Sequence, residues 1–266
     1  MKPRLSTRRP LGQHFLKNNT TAEQIVDWSG IGAQDFVLEI GPGAGILTRC
    51  LRRRAAYVYA VEIDWVLASR LGQDQDERFQ VEQADILKFE LGRLAAIAPR
   101  WKVIGNLPYG ISTRILRHVI ESRALLESFV FMVQKEVADR IAAMPGTKDY
   151  GYIACLTQLF GNITQGAILP RGAFVPAPRV LSRVLRLDFL EHPRHELRDR
   201  SIWEALLKRA FAQRRKTLLN NLRQDPLFAL RAAEFAGQLG LKENVRAEQV
   251  TLEQFCQLAN AYSKGY

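Results

Sequence analysis

The sequence predicts an α/β domain built on a mostly parallel sheet, followed by a small all-helical domain. Three observations carry this expectation. Short apolar runs alternate with stretches of helical spacing over roughly the first 190 residues. A glycine turn, Gly41-Pro42-Gly43-Ala44-Gly45, directly follows the first of those runs. After His192-Pro193 no strand candidate remains, only apolar residues at helical spacing.

Each element follows from its local pattern. Asp35 to Ile40 (DFVLEI) reads as a buried strand, and the glycine turn leads into a helix from Ile46 to Arg54. Tyr57 to Ile63 is the next strand, and Trp65 to Leu71 is helical in spacing. Phe79 to Glu82 and Trp101 to Gly105 are two further strands, leading into Ala84-Asp85-Ile86-Leu87 and Asn106-Leu107-Pro108-Tyr109. Ser112 to Ser122 reads as a helix with Ser112 or Thr113 as N-cap. Glu127 to Val133 is a strand, Gln134 to Ala143 and Tyr150 to Phe160 have helical spacing, and Val180 to Phe189 alternates as a late strand. Ile202 to Leu222, Leu227 to Leu239 and Leu252 to Tyr262 are three helical stretches. The domain boundary is placed between residues 192 and 193.

Composition narrows the function classes. The 266 residues are 47% apolar and 24% charged, which is ordinary for a globular chain with a real core. Cys50, Cys155 and Cys256 are odd in number and far apart, and no His stands beside them at ligand spacing. That argues against a disulfide scaffold or a structural zinc site, and no metal is expected. No apolar run approaches the ~18 residues of a membrane span. The basic N-terminus leads into no apolar signal-peptide core, so a cytoplasmic protein is expected.

The net charge of +11 is unevenly spread. Met1 to Lys17 holds five Lys/Arg and no acid. Ala205 to Gln224 holds Lys208, Arg209, Arg214, Arg215, Lys216 and Arg223, again with no acid. A solvated helix face explains one such run. Two on a chain of pI near 9.9 favour a nucleic-acid surface.

Gly41, Gly43 and Gly45 let backbone approach a ligand and turn amides towards it. Glu62 ends the next strand, where a carboxylate can accept from two ribose hydroxyls. A dinucleotide and S-adenosylmethionine both satisfy this pattern. The spacing is G-x-G-x-G, with Ile46 where a third dinucleotide-motif glycine would stand, and Glu39 is placed to hold an amino-acid group. Those two features favour the methyl donor. Asp85 admits two readings, a turn cap or an acceptor for an adenine amine.

Asn106-Leu107-Pro108-Tyr109 suits transfer of a methyl group to an aromatic amine. An exocyclic adenine amine is conjugated with its ring and is a weak nucleophile. The Asn106 side-chain oxygen and the Leu107 carbonyl can align that amine and stabilise positive charge as its nitrogen rehybridises. Pro108 stiffens the turn, and Tyr109 offers a flat face to an extruded base.

Several segments together resemble the ribosomal RNA small-subunit adenine dimethyltransferase family. They are GQHFL (Gly12 to Leu16), VLEIGPGAGILT (Val37 to Thr48), VEID (Val61 to Asp64), ADIL (Ala84 to Leu87), NLPY (Asn106 to Tyr109), MVQKEVADR (Met132 to Arg140), FVPAPRVLS (Phe174 to Ser182) and FAQRRKTLLNNL (Phe211 to Leu222). The resemblance implies a Rossmann-like class I methyltransferase sheet (1–192) and a helical RNA-binding domain (193–266). It implies transfer of methyl groups from S-adenosylmethionine to N6 of two adjacent adenosines in the 3′-terminal hairpin loop of 16S rRNA, within a pre-30S particle. A monomer is expected.

By the same resemblance, cofactor contacts fall on His14, Leu16, Gly41, Glu62, Asp85 and Asn106. Asn106, Leu107 and Tyr109 hold the target base, and Phe174 closes its other face. A core aromatic before a proline turn is the competing reading of Phe174. Arg214, Arg215 and Lys216 are expected on RNA. His14 stands where many relatives have Asn, and Arg179 where Lys is common. The alternatives are a macrolide-resistance-type 23S rRNA adenine methyltransferase and a non-catalytic nucleic-acid-binding relative.

Overall fold

The computed structural model describes residues 14–263. Most of the basic N-terminal segment and the first two residues of GQHFL lie outside the described residues. The chain divides into two compact units, 1–138 with 164–188 and 139–163 with 189–266. Chain order alone groups 139–163 with the sheet. The fold groups it with the C-terminal helices, because the apolar face of the helix at Tyr152–Phe160 meets the last helix of the chain.

In chain order the elements are β1 (Phe15–Leu16), α1 (Asn19–Ser29), β2 (Phe36–Ile40), α2 (Ile46–Arg52), β3 (Tyr57–Glu62), α3 (Trp65–Gly72), β4 (Phe79–Gln83), β5 (Trp101–Asn106), α4 (Ser112–Glu121), β6 (Leu126–Gln134), α5 (Lys135–Ile141), α6 (Tyr152–Phe160), β7 (Gly161–Leu169), β8 (Phe174–Val175) and β9 (Ser182–Phe189). The helices α7 (Arg200–Ala210), α8 (Leu218–Leu222), α9 (Pro226–Ala229), α10 (Ala232–Gln238) and α11 (Leu252–Ser263) follow.

A seven-stranded sheet in the order β4-β3-β2-β5-β6-β9-β7 forms the first unit. Strands β2 to β6 are parallel, and β9 runs antiparallel to β6. The parallel strands are apolar on both faces, as strands covered by helices must be. Val37, Leu38, Val103, Ile104, Val130 and Phe131 are all buried. Trp101 closes one end of the core, where its indole N–H is shared by the carbonyls of Leu94 (3.2 Å) and Ala98 (3.0 Å). A separate two-stranded ribbon pairs β1 with β8, Phe15 opposite Val175 and Leu16 opposite Phe174.

The second unit is helical. Trp203, Leu206 and Leu207 of α7 are buried, as are Phe255 and Leu258 of α11. The Tyr262 hydroxyl donates to the Phe228 carbonyl at 2.8 Å, and the two rings meet edge to face with centroids 5.0 Å apart.

Several stretches differ from the sequence expectation: β1 and β8 are not among the expected strands, and Leu227 to Leu239 is split into α9 and α10. Gly161–Leu169 is a strand. It holds two glycines, lies at the sheet edge and buries few side chains, so its alternation is faint. Ile202 to Leu222 is not one helix. It breaks between α7 and α8, where Thr217 caps α8 through the Asn220 amide at 3.2 Å. The Asn221 side chain donates back to the carbonyls of Ala210 (2.7 Å) and Gln213 (3.1 Å). Apolar spacing continues across the break and conceals it.

Gly105, in β5, lies directly against the backbone of Ile40 in β2. A Cβ there would lie 2.7 Å from the Ile40 carbonyl oxygen and 3.1 Å from the Ile40 Cβ. Gly105→Ala is therefore expected to cost about 1–3 kcal/mol. Urea unfolding of the variant beside the wild type measures this, and equal midpoints would show that β2 and β5 can move apart.

Candidate active site

Strands β2, β3, β4 and β5 run parallel and end side by side at Ile40, Glu62, Gln83 and Asn106. Because β2 lies between β3 and β5, strand order reverses beside it. Ligands of open α/β sheets bind outside the carboxyl ends of the strands at such a point. A pocket open to solvent occupies this edge, its space about 680 Å³ with that solvent included. Gly41 and Gly43 line it from the glycine turn, Glu62 and Ile63 from the end of β3, and Ala84, Asp85 and Ile86 from beyond β4. Asn106 to Tyr109 line it from beyond β5, and His14 and Phe15 from the N-terminal ribbon.

The glycine turn is shaped by Gly43, whose φ of +57° favours glycine. A Cβ there would also stand 2.6 Å from the Phe15 ring. The Gly43 N–H donates to Glu62 Oε2 at 3.0 Å, and the Asp64 N–H donates to Oε1 at 2.9 Å. Burial raises the Glu62 pKa, and these two amides oppose the shift. Asp85 caps its turn, Oδ1 accepting from the Leu87 N–H at 3.0 Å, and it also lines the cavity. Among the described residues the lining contains two carboxylates and no Lys or Arg. A pyrophosphate would meet only repulsion from those carboxylates, whereas a cationic ligand would be attracted.

The turn after β5 is held from several directions. Asn106 Nδ2 donates to the His14 carbonyl at 2.6 Å. A carbonyl can only accept, so this bond fixes which end of the amide is nitrogen and leaves Oδ1 as the other end. The Leu107 N–H donates to the Met132 carbonyl at 3.2 Å, and the Leu107 side chain is buried. The Tyr109 hydroxyl pairs with Ser182 Oγ at 2.6 Å, and burial raises its pKa. The His14 ring lies against the Tyr109 ring with centroids 5.1 Å apart, while its Nδ1 donates to the Pro176 carbonyl at 2.7 Å. These contacts bring His14, Asn106, Leu107 and Tyr109 to one wall.

The family model "Ribosomal RNA adenine dimethylase" matches residues 4–264. The chain belongs to this family. It is 44% identical over 271 residues to "Ribosomal RNA small subunit methyltransferase A" of Koribacter versatilis, covering 96% of this chain and 94% of that protein. A protein of the same name from Syntrophus aciditrophicus is 38% identical over 262 residues, covering 95% and 93%. Among solved structures, a dimethyladenosine transferase from Plasmodium falciparum superposes with a TM-score of 0.78 at 26% identity, covering 94% of this chain and 98% of that one. The 23S rRNA methyltransferase ErmE superposes at 0.67 with 25% identity, covering 94% and 99%. The fold is therefore that of the Rossmann-like methyltransferases, with a helical C-terminal region.

Four of the residues expected at the dimethylase site lie off the main cavity. Leu16 lines a smaller adjoining cavity of about 300 Å³, which shares Phe15, Gly41 and Asn106 with the first. Gly45 is the N-cap residue of α2. Glu39 does not reach the cavity as expected. Ile40, at the end of β2, lines the cavity, whereas Glu39, one residue earlier, is directed to the packing against α2. There Glu39 is fully buried, Oε2 accepting from Thr48 Oγ1 at 2.7 Å and Oε1 left without a partner. Phe174 does not cover the cavity either. Its pairing with Leu16 turns the ring into the core, where it is 1% exposed.

The apolar lining of Ile40, Val61, Ile63, Ile86, Ile111 and Ile115 was not singled out by sequence pattern, because isoleucine and valine are also what a buried strand requires. Phe15 was within reach of the sequence as the aromatic residue of GQHFL. In the second unit Arg214, Arg215 and Lys216 sit in the break between α7 and α8. The Arg214 guanidinium donates to the carbonyls of Lys148 and Tyr150.

Burial pushes the Glu39 pKa up to about 8. The folded protein then holds this proton between about pH 4.5 and 8, where the unfolded chain has released it. Stability contributed by the neutral acid falls as pH rises through that window and levels off above it. Glu39→Gln keeps an acceptor for Thr48 and removes the titration. The variant should gain about 2–4 kcal/mol on wild type between pH 5 and pH 8.5 in urea unfolding. A constant difference between the two proteins would show that Glu39 is ionised in the fold.

Proposed function

We propose that this protein uses S-adenosylmethionine to dimethylate N6 of two adjacent adenosines in the 3′-terminal hairpin loop of 16S rRNA. It acts as a cytoplasmic monomer on a pre-30S particle. The anchored Asn106 amide carries this reading. Its nitrogen is occupied by the His14 carbonyl, so its oxygen is the end available to an amine. The relatives named as small-subunit methyltransferases support the choice of ribosomal subunit.

The residues lining the cavity fit the donor. Glu62 presents its carboxylate to the ribose hydroxyls, Asp85 accepts from the adenine amine, and the apolar isoleucines enclose the rings. Two carboxylates and no cation in the lining suit a sulfonium. His14, Leu16, Gly41 and Gly43 complete the contacts. The donor supplies an activated methyl carbon, bonded to sulfur until the target nitrogen takes it.

Tyr109 receives the unstacked base on the ring face that His14 leaves open. Asn106 Oδ1 and the Leu107 carbonyl accept the two N–H bonds of the amine and turn its lone pair towards the methyl carbon. As the N–C bond forms and the C–S bond breaks, nitrogen becomes cationic and the same two oxygens stabilise it. The proton then leaves to water. A second round places a second methyl on the same nitrogen.

Asn106→Ala should lower kcat by about 10²–10³. The assay is transfer of labelled methyl to undermethylated small subunits, with dimethyladenosine as product. Large subunits serve as the competing substrate, since the likeness to ErmE favours them as the second reading. Label on large subunits alone would transfer the reading to that class, and no label on either would remove it.

Arg215 and Lys216 are exposed in the α7–α8 break and are proposed to contact RNA phosphates. Arg215→Ala with Lys216→Ala should weaken binding to small subunits and lower the salt slope by about 0.7–0.9 for each phosphate no longer neutralised. Arg214→Ala should also lower the melting temperature, since its guanidinium ties down residues 148 and 150. An unchanged slope in the double variant would take these residues off the RNA.

A further inference from the structure

An adenosine drawn out of an RNA loop brings a phosphate on each side of its ribose. The cavity lining has no cation to meet them. Two exposed arginines of the same unit, Arg114 and Arg179, stand close in sequence to residues of the cavity wall. Arg114 lies in the first turn of α4, three residues from Ile111 and next to Ile115, both of which line the cavity. Residues three apart share a helix face. Arg179 lies between Pro176 and Ser182. Both ends of that segment are fastened to the cavity wall, Pro176 by His14 at 2.7 Å and Ser182 by Tyr109 at 2.6 Å. Arg179 is carried on the segment so fastened.

Both arginines are exposed, and neither side chain makes an ion pair or hydrogen bond among the described residues. Several other arginines of the unit are engaged, while Arg70, Arg78, Arg100 and Arg171 are exposed like these two but are not next in sequence to the cavity wall. Arg52 pairs with Asp76 at 2.7 Å, Arg53 with Glu23 at 2.9 Å and Arg186 with Asp188 at 2.7 Å. Val175, Val180 and Leu181, all within four residues of Arg179 in sequence, have exposed apolar side chains, 52%, 41% and 39% accessible. An apolar ledge with one cation on it suits a nucleotide, with a base against the ledge and a phosphate at the guanidinium.

We infer that Arg114 and Arg179 grip the RNA phosphates on either side of the extruded adenosine, one from each flank of the Asn106–Tyr109 turn. This rests on the proposed RNA substrate and assigns the residues that position it. They act on the sugar–phosphate chain and do not touch the reacting nitrogen, so they are positioning residues.

The test uses the full chain as Arg114→Ala, Arg179→Ala and the two lysine variants, with Arg78→Ala as an exposed control at the opposite sheet edge. Binding to undermethylated small subunits is followed across a range of salt, and methyl transfer is followed in parallel. Each alanine variant should bind roughly tenfold more weakly and raise KM more than it lowers kcat. Each should also reduce the salt slope by about 0.7. The lysine variants should restore the slope, and S-adenosylhomocysteine should bind all variants as it binds wild type. Unchanged slopes alongside wild-type methyl transfer would overturn this inference alone. Weakened S-adenosylhomocysteine binding would overturn it too, since the arginines would then be supporting the cavity. Wild-type protein that binds neither subunit would overturn the RNA reading as well.

Discussion

A single hydrogen bond orders the rest of the site, the 2.6 Å contact from the Asn106 amide to the His14 carbonyl. An asparagine side chain free to rotate presents nitrogen as readily as oxygen, and nitrogen would repel an incoming N–H. The carbonyl removes that choice. It is supplied by the residue just before β1, 92 positions away in sequence, so the turn after β5 depends on the ribbon at the start of the described chain. The ribbon is itself secured where β1 pairs with β8 and where His14 Nδ1 reaches Pro176. Each link contributes only about 1 kcal/mol. Their value lies in orientation, since a polar group aimed beforehand needs no rearrangement as charge develops.

On the inference drawn above, charge is sorted by depth in the first unit. The cavity lining carries Glu62 and Asp85, and the exposed Arg114 and Arg179 would lie outside it. A cationic donor and a polyanionic acceptor approaching the same opening would each find their opposite charge at a different level. Moving an arginine inward would put it against the carboxylates and oppose the donor.

Much of this was legible in the chain. The apolar runs mark the parallel strands because such strands are buried on both sides, and Glu62, Asp85 and Asn106 each stand at or just past a strand end. Legibility failed where packing decides. Glu39 stands one residue short of the strand end, and the fold ties it to Thr48 of α2 instead of the cavity. Phe174 reads equally as a lid or a core ring, and only its pairing with Leu16 separates the two. The break before α8 was hidden because Asn221 and Thr217 satisfy the exposed backbone without interrupting the apolar spacing.

The two amides that hold Glu62 bear on affinity. Each carboxylate oxygen is tied to a different stretch of backbone, one after β2 and one after β3. Both bonds hold the group's orientation in the folded chain. On the proposed role of Glu62, a ribose diol would meet a carboxylate already oriented, and part of the ordering that recognition demands would have occurred during folding. A looser acid in the same position would make an equally good contact and hold its guest less tightly.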